Sequence, residues 1–328
     1  PSLIQASKAA RYVRLQNAQN TESSRINITV AVSKAFYDVL TSEEQIKIID
    51  ENISRIKKQL ADANARYETG LVDKTDYKRA QITLSNTEAE KKRTIEMLKY
   101  KYAYLKELVG VDVSHPLQLS YDGKAMEGEM LVDTTQLLAF ERRIEYQQML
   151  TQHRIEHIHT QYNKSTFLPN VSAFYNYAWD WRTNNGFSNL YDVDYPRSVL
   201  GVTLSLPIFQ GTKRIQEIKK SKLQEERIDW DIINLKNQIN TQHQQAMATY
   251  KANLNDWKTA KENVELSKEV YNTIKLQYDE GIKTYLDLMT AETDLRTTQI
   301  NYLNALYAVL SGKLDVQQAL GNISFNQQ

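Results

Sequence analysis

The chain has 328 residues, with 41 Lys plus Arg against 40 Asp plus Glu, a net charge of +1 and a mean hydropathy of −0.57. That balance excludes a global basic field for nucleic acid, and the absence of Cys excludes disulfides, thiolate catalysis and Cys-ligated zinc. No apolar run approaches the roughly 20 residues of a membrane-spanning helix.

With 5 Pro and 10 Gly the composition favours helix. Ser2 to about Thr69 contains neither residue, and predicts one helix about 100 Å long at 1.5 Å per residue. Within it Ile46, Ile49, Ile53, Ile56, Leu60, Ala63 and Tyr67 follow three- and four-residue steps, a seam for side-by-side helix packing. Gly70 stops that helix, and Asp73 or Thr75 caps the next, which runs to Val109 and ends at Gly110. Residues 111–133 are broken by Pro116, Gly123 and Gly128 and hold one short alternating run, Leu117, Leu119, Tyr121. A third helix is expected from Thr134 to about Thr166.

Leu168–Gly211 reads as two strands joined by a polar loop, Arg182–Pro196. Val171, Ala173, Tyr175, Tyr177, Trp179 and Trp181 share one face of the first strand. Leu200, Val202, Leu204, Leu206 and Ile208 share a face of the second, opposed by Gly201, Thr203 and Ser205. An isolated strand pair is barely stable in water. A pair with an apolar face and aromatic ends suits either a membrane β-barrel or a hairpin lying on a soluble core. Two more helices are expected, from Thr212 to about Asp279 and, after a turn at Gly281, from Thr284 to Leu320.

The chain repeats itself at an offset of 211 residues. Gly70 matches Gly281, Gly110 matches Gly321, and Tyr67, Asp76, Ala80 and Leu84 match Tyr278, Asp287, Ala291 and Leu295. The seam recurs as Trp257, Ala260, Val264, Tyr271, Ile274 and Tyr278, with Ser267 breaking it. Pro1 corresponds to Thr212, so the repeat predicts a further strand pair and ascending helix, roughly 100 residues, ahead of Pro1.

VTLSLPIFQGTKRIQEIKKSK, running from the second strand into its helix, and YDEGIKTYLDLMTAETDLRTTQINYLNALYAVLSGKLDVQQALG around the late turn resemble the TolC-like outer membrane efflux protein family, as does Phe167-Leu168-Pro169. The resemblance covers nearly the whole chain. It implies a mainly α fold of very long antiparallel helices, an α-barrel tunnel, plus a strand pair given to an outer-membrane β-barrel. It implies the bacterial outer membrane and periplasm as location. It implies a homotrimer of the full-length protein, working with a periplasmic adaptor, an inner-membrane pump and outer-membrane lipid. The task it implies is an exit duct of a tripartite export system, without enzymatic activity or cofactor. The expected divisions are helical hairpins at 1–110 and 212–320, an equatorial segment at 111–133, an ascending helix at 134–166, the strand pair at 167–211 and an equatorial tail at 321–328. The alternative is a periplasmic coiled-coil scaffold or adaptor-like protein, which would share the seams without needing the strands.

The resemblance makes the bends the gate and the adaptor contact, carried by Tyr67, Gly70, Asp73, Asp76, Tyr278, Gly281, Lys283 and Asp287. Asp76 and Asp287 suit an acidic constriction; they also suit the positive end of the helix dipole. Asp76, Tyr278 and Lys283 are the expected closing contacts between neighbouring tips. Lys283 stands where the best-known family pattern has Arg, so the bidentate fork is lost, and Thr290 stands at a second commonly acidic position. Trp179, Trp181 and Tyr195 are candidates for an aromatic membrane girdle, or for plain ring packing. His153 and His157 share a helix face, but no third ligand is evident and no metal is expected. The basic runs lie among acids and Gln without stacking aromatics, so no nucleic-acid partner is expected.

Overall fold

The structure, a computed structural model, describes residues 2–70, 73–119, 123–182, 191 and 194–323. Six α-helices and two strands follow in the order α1 (Ser2–Glu68), α2 (Lys74–Val109), α3 (Gly123–Gly128), α4 (Ile144–Ser165), β1 (Asn170–Trp181), β2 (Asp194–Ser205), α5 (Lys213–Asp279) and α6 (Tyr285–Leu320), with a 3-10 turn at Phe140–Arg142. The repeat is exact in its ends. α1 and α5 have 67 residues each, α2 and α6 have 36 each, and every boundary recurs at the 211-residue offset. The stops have one physical cause. Gly70, Gly110, Gly281 and Gly321 take φ of +74°, +75°, +77° and +70°, a left-handed backbone that L side chains disfavour. At three of them the next residue's N–H reaches back five places: Val111 to Lys106, Ile282 to Gln277 and Asn322 to Gln317.

The chain packs as two compact units. The first holds residues 1–21 and 145–235. Here α4 meets the start of α1 through polar pairs, Gln16 donating to Gln152 at 2.8 Å and Gln148 to Asn20 at 2.9 Å. It meets α5 through His157 Nδ1 with Glu225 at 2.6 Å and His153 Nε2 with Asp229 at 3.1 Å. β1 and β2 form an antiparallel pair in which Asn170 faces Ser205 and Trp181 faces Asp194.

The second unit holds residues 22–144 and 236–328 and the main core. Tyr37 and Leu40 of α1, Met126 and Met130, Met247 and Tyr250 of α5, and Leu306, Val309, Leu310 and Val316 of α6 pack together. The 126–132 stretch is stitched in by backbone bonds to one side chain: Tyr250 hydroxyl donates to Met130 carbonyl at 2.8 Å and accepts from Val132 N at 3.2 Å.

Three expectations need correction. The third helix begins at Ile144, not Thr134. Asp133 Oδ1 accepts from Thr135 N and Oγ1 at 2.9 and 2.6 Å, a side-chain turn that competes with helix. Arg143 then stays extended and buried, with Nη1 donating to the Ala319 carbonyl at 3.0 Å and Nη2 to Gln242 at 3.1 Å. The guanidinium thus lies across the last carbonyls of α6, where a cation suits the helix dipole. Second, β2 spans Asp194–Ser205, so it begins inside the expected loop Arg182–Pro196, and Leu206 and Ile208, expected on its apolar face, lie past the ladder; Pro207 has no N–H with which to extend it. Third, Leu117 and Leu119 are not in a strand. Tyr121, residues 183–190 and 192–193 of the polar loop, and the tail beyond 323 lie outside the described residues.

Candidate functional site: a strand pair and paired glycine bends

In the first unit the register decides the faces of the sheet, because directly paired residues point the same way. One face carries Val171 with Leu204, Ala173 with Val202, Tyr175 with Leu200, and Trp179 with Pro196. The other carries Asn170 with Ser205, Ser172 with Thr203, Phe174 with Gly201, and Asp180 with Tyr195. The apolar face is open: Leu200, Val202 and Tyr175 are 76%, 72% and 66% exposed. On the polar face Arg182 and Arg197 lie 3.5 and 4.0 Å from Asp180. Gly201 has a spatial reason, since a Cβ there would meet Phe174 Cζ at 2.4 Å.

This register corrects the girdle. Trp179 and Trp181 share the apolar face in edge contact, with ring centroids 6.4 Å apart, whereas Tyr195 sits on the opposite face beside Asp180. The ring of Tyr191 lies 5.7 Å from that of Trp181 in edge contact. Tyr195 falls in the loop expected from the sequence, but β2 reaches back to Asp194, and alternation then sets Tyr195 with Gly201, Thr203 and Ser205.

In the second unit the two bends lie side by side. The Arg66 guanidinium, four residues before Gly70, covers the ring of Tyr278, three residues before Gly281, at 4.9 Å. Ala80, Tyr271, Tyr278, Tyr285, Leu288, Ala291 and Leu295 form one cluster beneath. Tyr278 is only 7% exposed, and its ring lies tilted against that of Tyr285 with centroids 6.1 Å apart. Burial pushes its hydroxyl pKa up, against the charge of Arg66, which lowers it, and with smaller help from nearby acids including Asp76. Tyr67 and Lys283 are exposed.

The two aspartates part company. Asp287 accepts from Thr284 N at 3.0 Å and Thr284 Oγ1 at 2.8 Å, while Thr284 Oγ1 accepts from Asp287 N at 3.2 Å, a complete capping box. The bond from the Thr284 hydroxyl, then that from its backbone, holds the Asp287 carboxyl below the usual range. On the other bend Asp73 performs the capping, accepting from Thr75 N at 3.2 Å. Asp76 therefore keeps its carboxylate out of the cap.

Sequence reasoning missed the layer below the bends. Glu292 is buried among Asn52, Arg55 and Gln59 of α1. The only signal available was an acid on the apolar side of α6. Among the described residues no three His, Asp or Glu side chains are grouped as metal ligands would be.

Comparison with known proteins places this geometry. The family model for outer membrane efflux proteins matches residues 3–111 and 142–322. The outer membrane protein TolC of Vibrio cholerae serotype O1 is 22% identical over 327 residues, which is 98% of this chain and 73% of that protein. Among solved structures, VceC of Vibrio cholerae superposes with a TM-score of 0.75 at 16% identity, covering 98% of this chain and 76% of that one. The open-state MtrE outer membrane channel of Neisseria gonorrhoeae gives 0.79 at 15%, covering 97% and 71%. With both helical hairpins and the strand pair inside the matched residues, the chain belongs to the outer membrane efflux protein family, a family of transport channels and not of enzymes.

Proposed function

We propose that this chain is one protomer of a trimeric exit duct, which takes solutes from an inner-membrane pump through a periplasmic adaptor and releases them across the outer membrane. One observation carries the reading: an antiparallel strand pair with one apolar face open and exposed and one polar face carrying an Asp–Arg cluster. A two-stranded sheet with that exposure is unstable in water, and closure into a shared barrel removes its free edges. The apolar face then meets lipid, Trp179 and Trp181 sit at the lipid edge, and Gly201, Thr203 and Ser205 face a wet lumen. A coiled-coil scaffold has no use for such a sheet.

The paired bends form the periplasmic gate and adaptor contact in this reading. Tyr278 acts from within its own chain, clamped by Arg66, while Asp76, Tyr67 and Lys283 remain for neighbours. Asp76 supplies the acidic ring and Asp287 the cap. The test is conductance of the complete protein in planar lipid bilayers. Discrete channel steps are expected, and Asp76→Ala raises the single-channel conductance while Asp287→Ala acts chiefly on stability. A protein that gives no steps sinks the duct; an Asp76→Ala channel identical to the parent sinks the acidic gate.

A further inference from the structure

Glu292 of α6 has a side chain 5% exposed, and all its polar partners come from α1. Asn52 Nδ2 and Arg55 Nε donate to Oε1 at 3.1 and 2.9 Å, and Gln59 Nε2 donates to Oε2 at 2.6 Å. The Arg55 guanidinium also covers the ring of Tyr271 on α5 at 5.8 Å. One carboxylate thus gathers the first hairpin against both helices of the second.

The repeat does not require this. At the equivalent places of the other copy stand Gln81 for Glu292, and Asn263, Leu266 and Val270 for Asn52, Arg55 and Gln59; all four are exposed. An apolar cluster would fill the same space without desolvating charge, and such replacements are often neutral or stabilising. The best-attested use of a buried polar residue in a helix seam is to fix register. The seam of α1 here is a ladder of similar apolar steps, Ile49, Ile53, Ile56 and Ala63. Such a ladder accepts a partner displaced by a repeat, whereas three donors at 52, 55 and 59 accept Glu292 at one height only. The site is also short of partners. Arg55 Nη2, Gln59 Oε1 and the Tyr285 hydroxyl are buried with no hydrogen bond. A partly satisfied polar network holds less firmly than a complete one, which suits a latch that opens.

We propose that Glu292 is a register latch, a positioning residue that ties α6 to α1 and so keeps the bend at Gly281 level with the bend at Gly70. The consequence for conductance rests on the gate reading above; the latch itself does not, and the two can fail separately. A chain without Cys makes the test clean. Thr69→Cys and Glu280→Cys, both exposed and each next to its glycine, carry spin labels in the complete protein, diluted with unlabelled chain. Glu292→Gln is expected to broaden the interlabel distance distribution and shift it to longer separation. Replacing Glu292, Arg55 and Gln59 together by Leu is expected to keep or raise the melting temperature and still broaden the distribution, a split that a merely structural residue would not show. A parental distribution in the folded triple variant overturns the latch, because the apolar seam alone would then set the register. Should the triple variant fail to fold, Glu292→Gln decides by the same readout. A broadened distribution with parental conductance keeps the latch and removes the gate.

Discussion

α2 and α6 occupy the same place in the two copies, have the same 36-residue length and end at glycines of the same handedness, yet α2 buries three residues and α6 thirteen. The difference lies in what surrounds them. α2 leans on α1 through charged pairs at the surface, such as Lys91 with Asp50 at 2.5 Å and Lys101 with Asp38 at 2.8 Å, and shows Ile82, Met97 and Tyr100 to solvent. α6 has neighbours on several sides: α1 through Lys34–Asp315, α2 through Glu90–Arg296, α5 through Ser267–Thr298, the 126–132 stretch through Tyr302–Glu127, and Arg143 through Ala319. Matching local sequence signals thus give matching helices, while burial depends on position in the packed unit.

The largest expected contrast is in core truncation. Leu310→Ala, at a fully buried site, should cost about 2–5 kcal/mol. Ile82→Ala, 61% exposed on the partner helix, should stay within about 0.5 kcal/mol. Urea unfolding of the two variants checks this, and equal losses would erase the distinction between the copies.

Next come the terminal glycines. Gly110→Ala meets nothing within 4 Å and bears only the left-handed backbone, about 1–2 kcal/mol. Gly321→Ala, its repeat mate, also drives a Cβ to 2.7 Å from the Arg142 carbonyl, adding about 1–3 kcal/mol of overpacking. Calorimetry of the pair should rank Gly321→Ala lower in melting temperature; the reverse order would mean that the Arg142 backbone yields freely.

Equivalent positions also differ in their charge partners. Asp50 and Lys91 bind each other, whereas their counterparts Lys261 and Tyr302 both grip Glu127. Lys261 first and Tyr302 second hold the Glu127 carboxyl below its ordinary 4.5. A depressed carboxyl stabilises the fold above its unfolded pKa and loses that contribution as pH falls through the folded one. Glu127→Gln should therefore lower the melting temperature at neutral pH and flatten its fall below about pH 4.5. Asp50→Asn, at a surface pair, should cost about 0–1 kcal/mol. Melting curves from pH 3 to 7 compare them. The smallest contrast is expected between the caps: Thr284→Ala loses a full capping box, about 1–2 kcal/mol, and Asp73→Ala a single bond, about 0.5–1 kcal/mol. A larger loss at Asp73 would mean that this end of α2 is held more firmly than its one bond indicates.

Much of the skeleton is legible from residue types. Gly70, Gly110, Gly281 and Gly321 mark every helix stop in the hairpins, Asp73 and Thr284 mark the starts, and Ser267, the break in the second seam, bonds to Thr298. The alternation in 171–181 predicted β1. What escaped reading depends on partners distant in sequence. Arg143 bonds to Ala319, 176 residues away, and Tyr195 pairs with Asp180 across the strands. The ring of Tyr278, expected as a closing contact between neighbouring tips, lies under Arg66 of its own chain.

The amino-acid sequence alone settled where the four hairpin helices stop, where α2 and α6 start, that one unit is used twice, and which positions of β1 share a face, because caps, glycine conformations and side-chain periodicity act over a few residues. The tertiary structure alone decided that α6 is the buried member of its pair, that Asp76 and not Asp287 is left outside a cap, and that Glu292 belongs with Asn52, Arg55 and Gln59. Those outcomes turn on desolvation and on hydrogen-bond partners more than 200 residues apart, which no local pattern encodes.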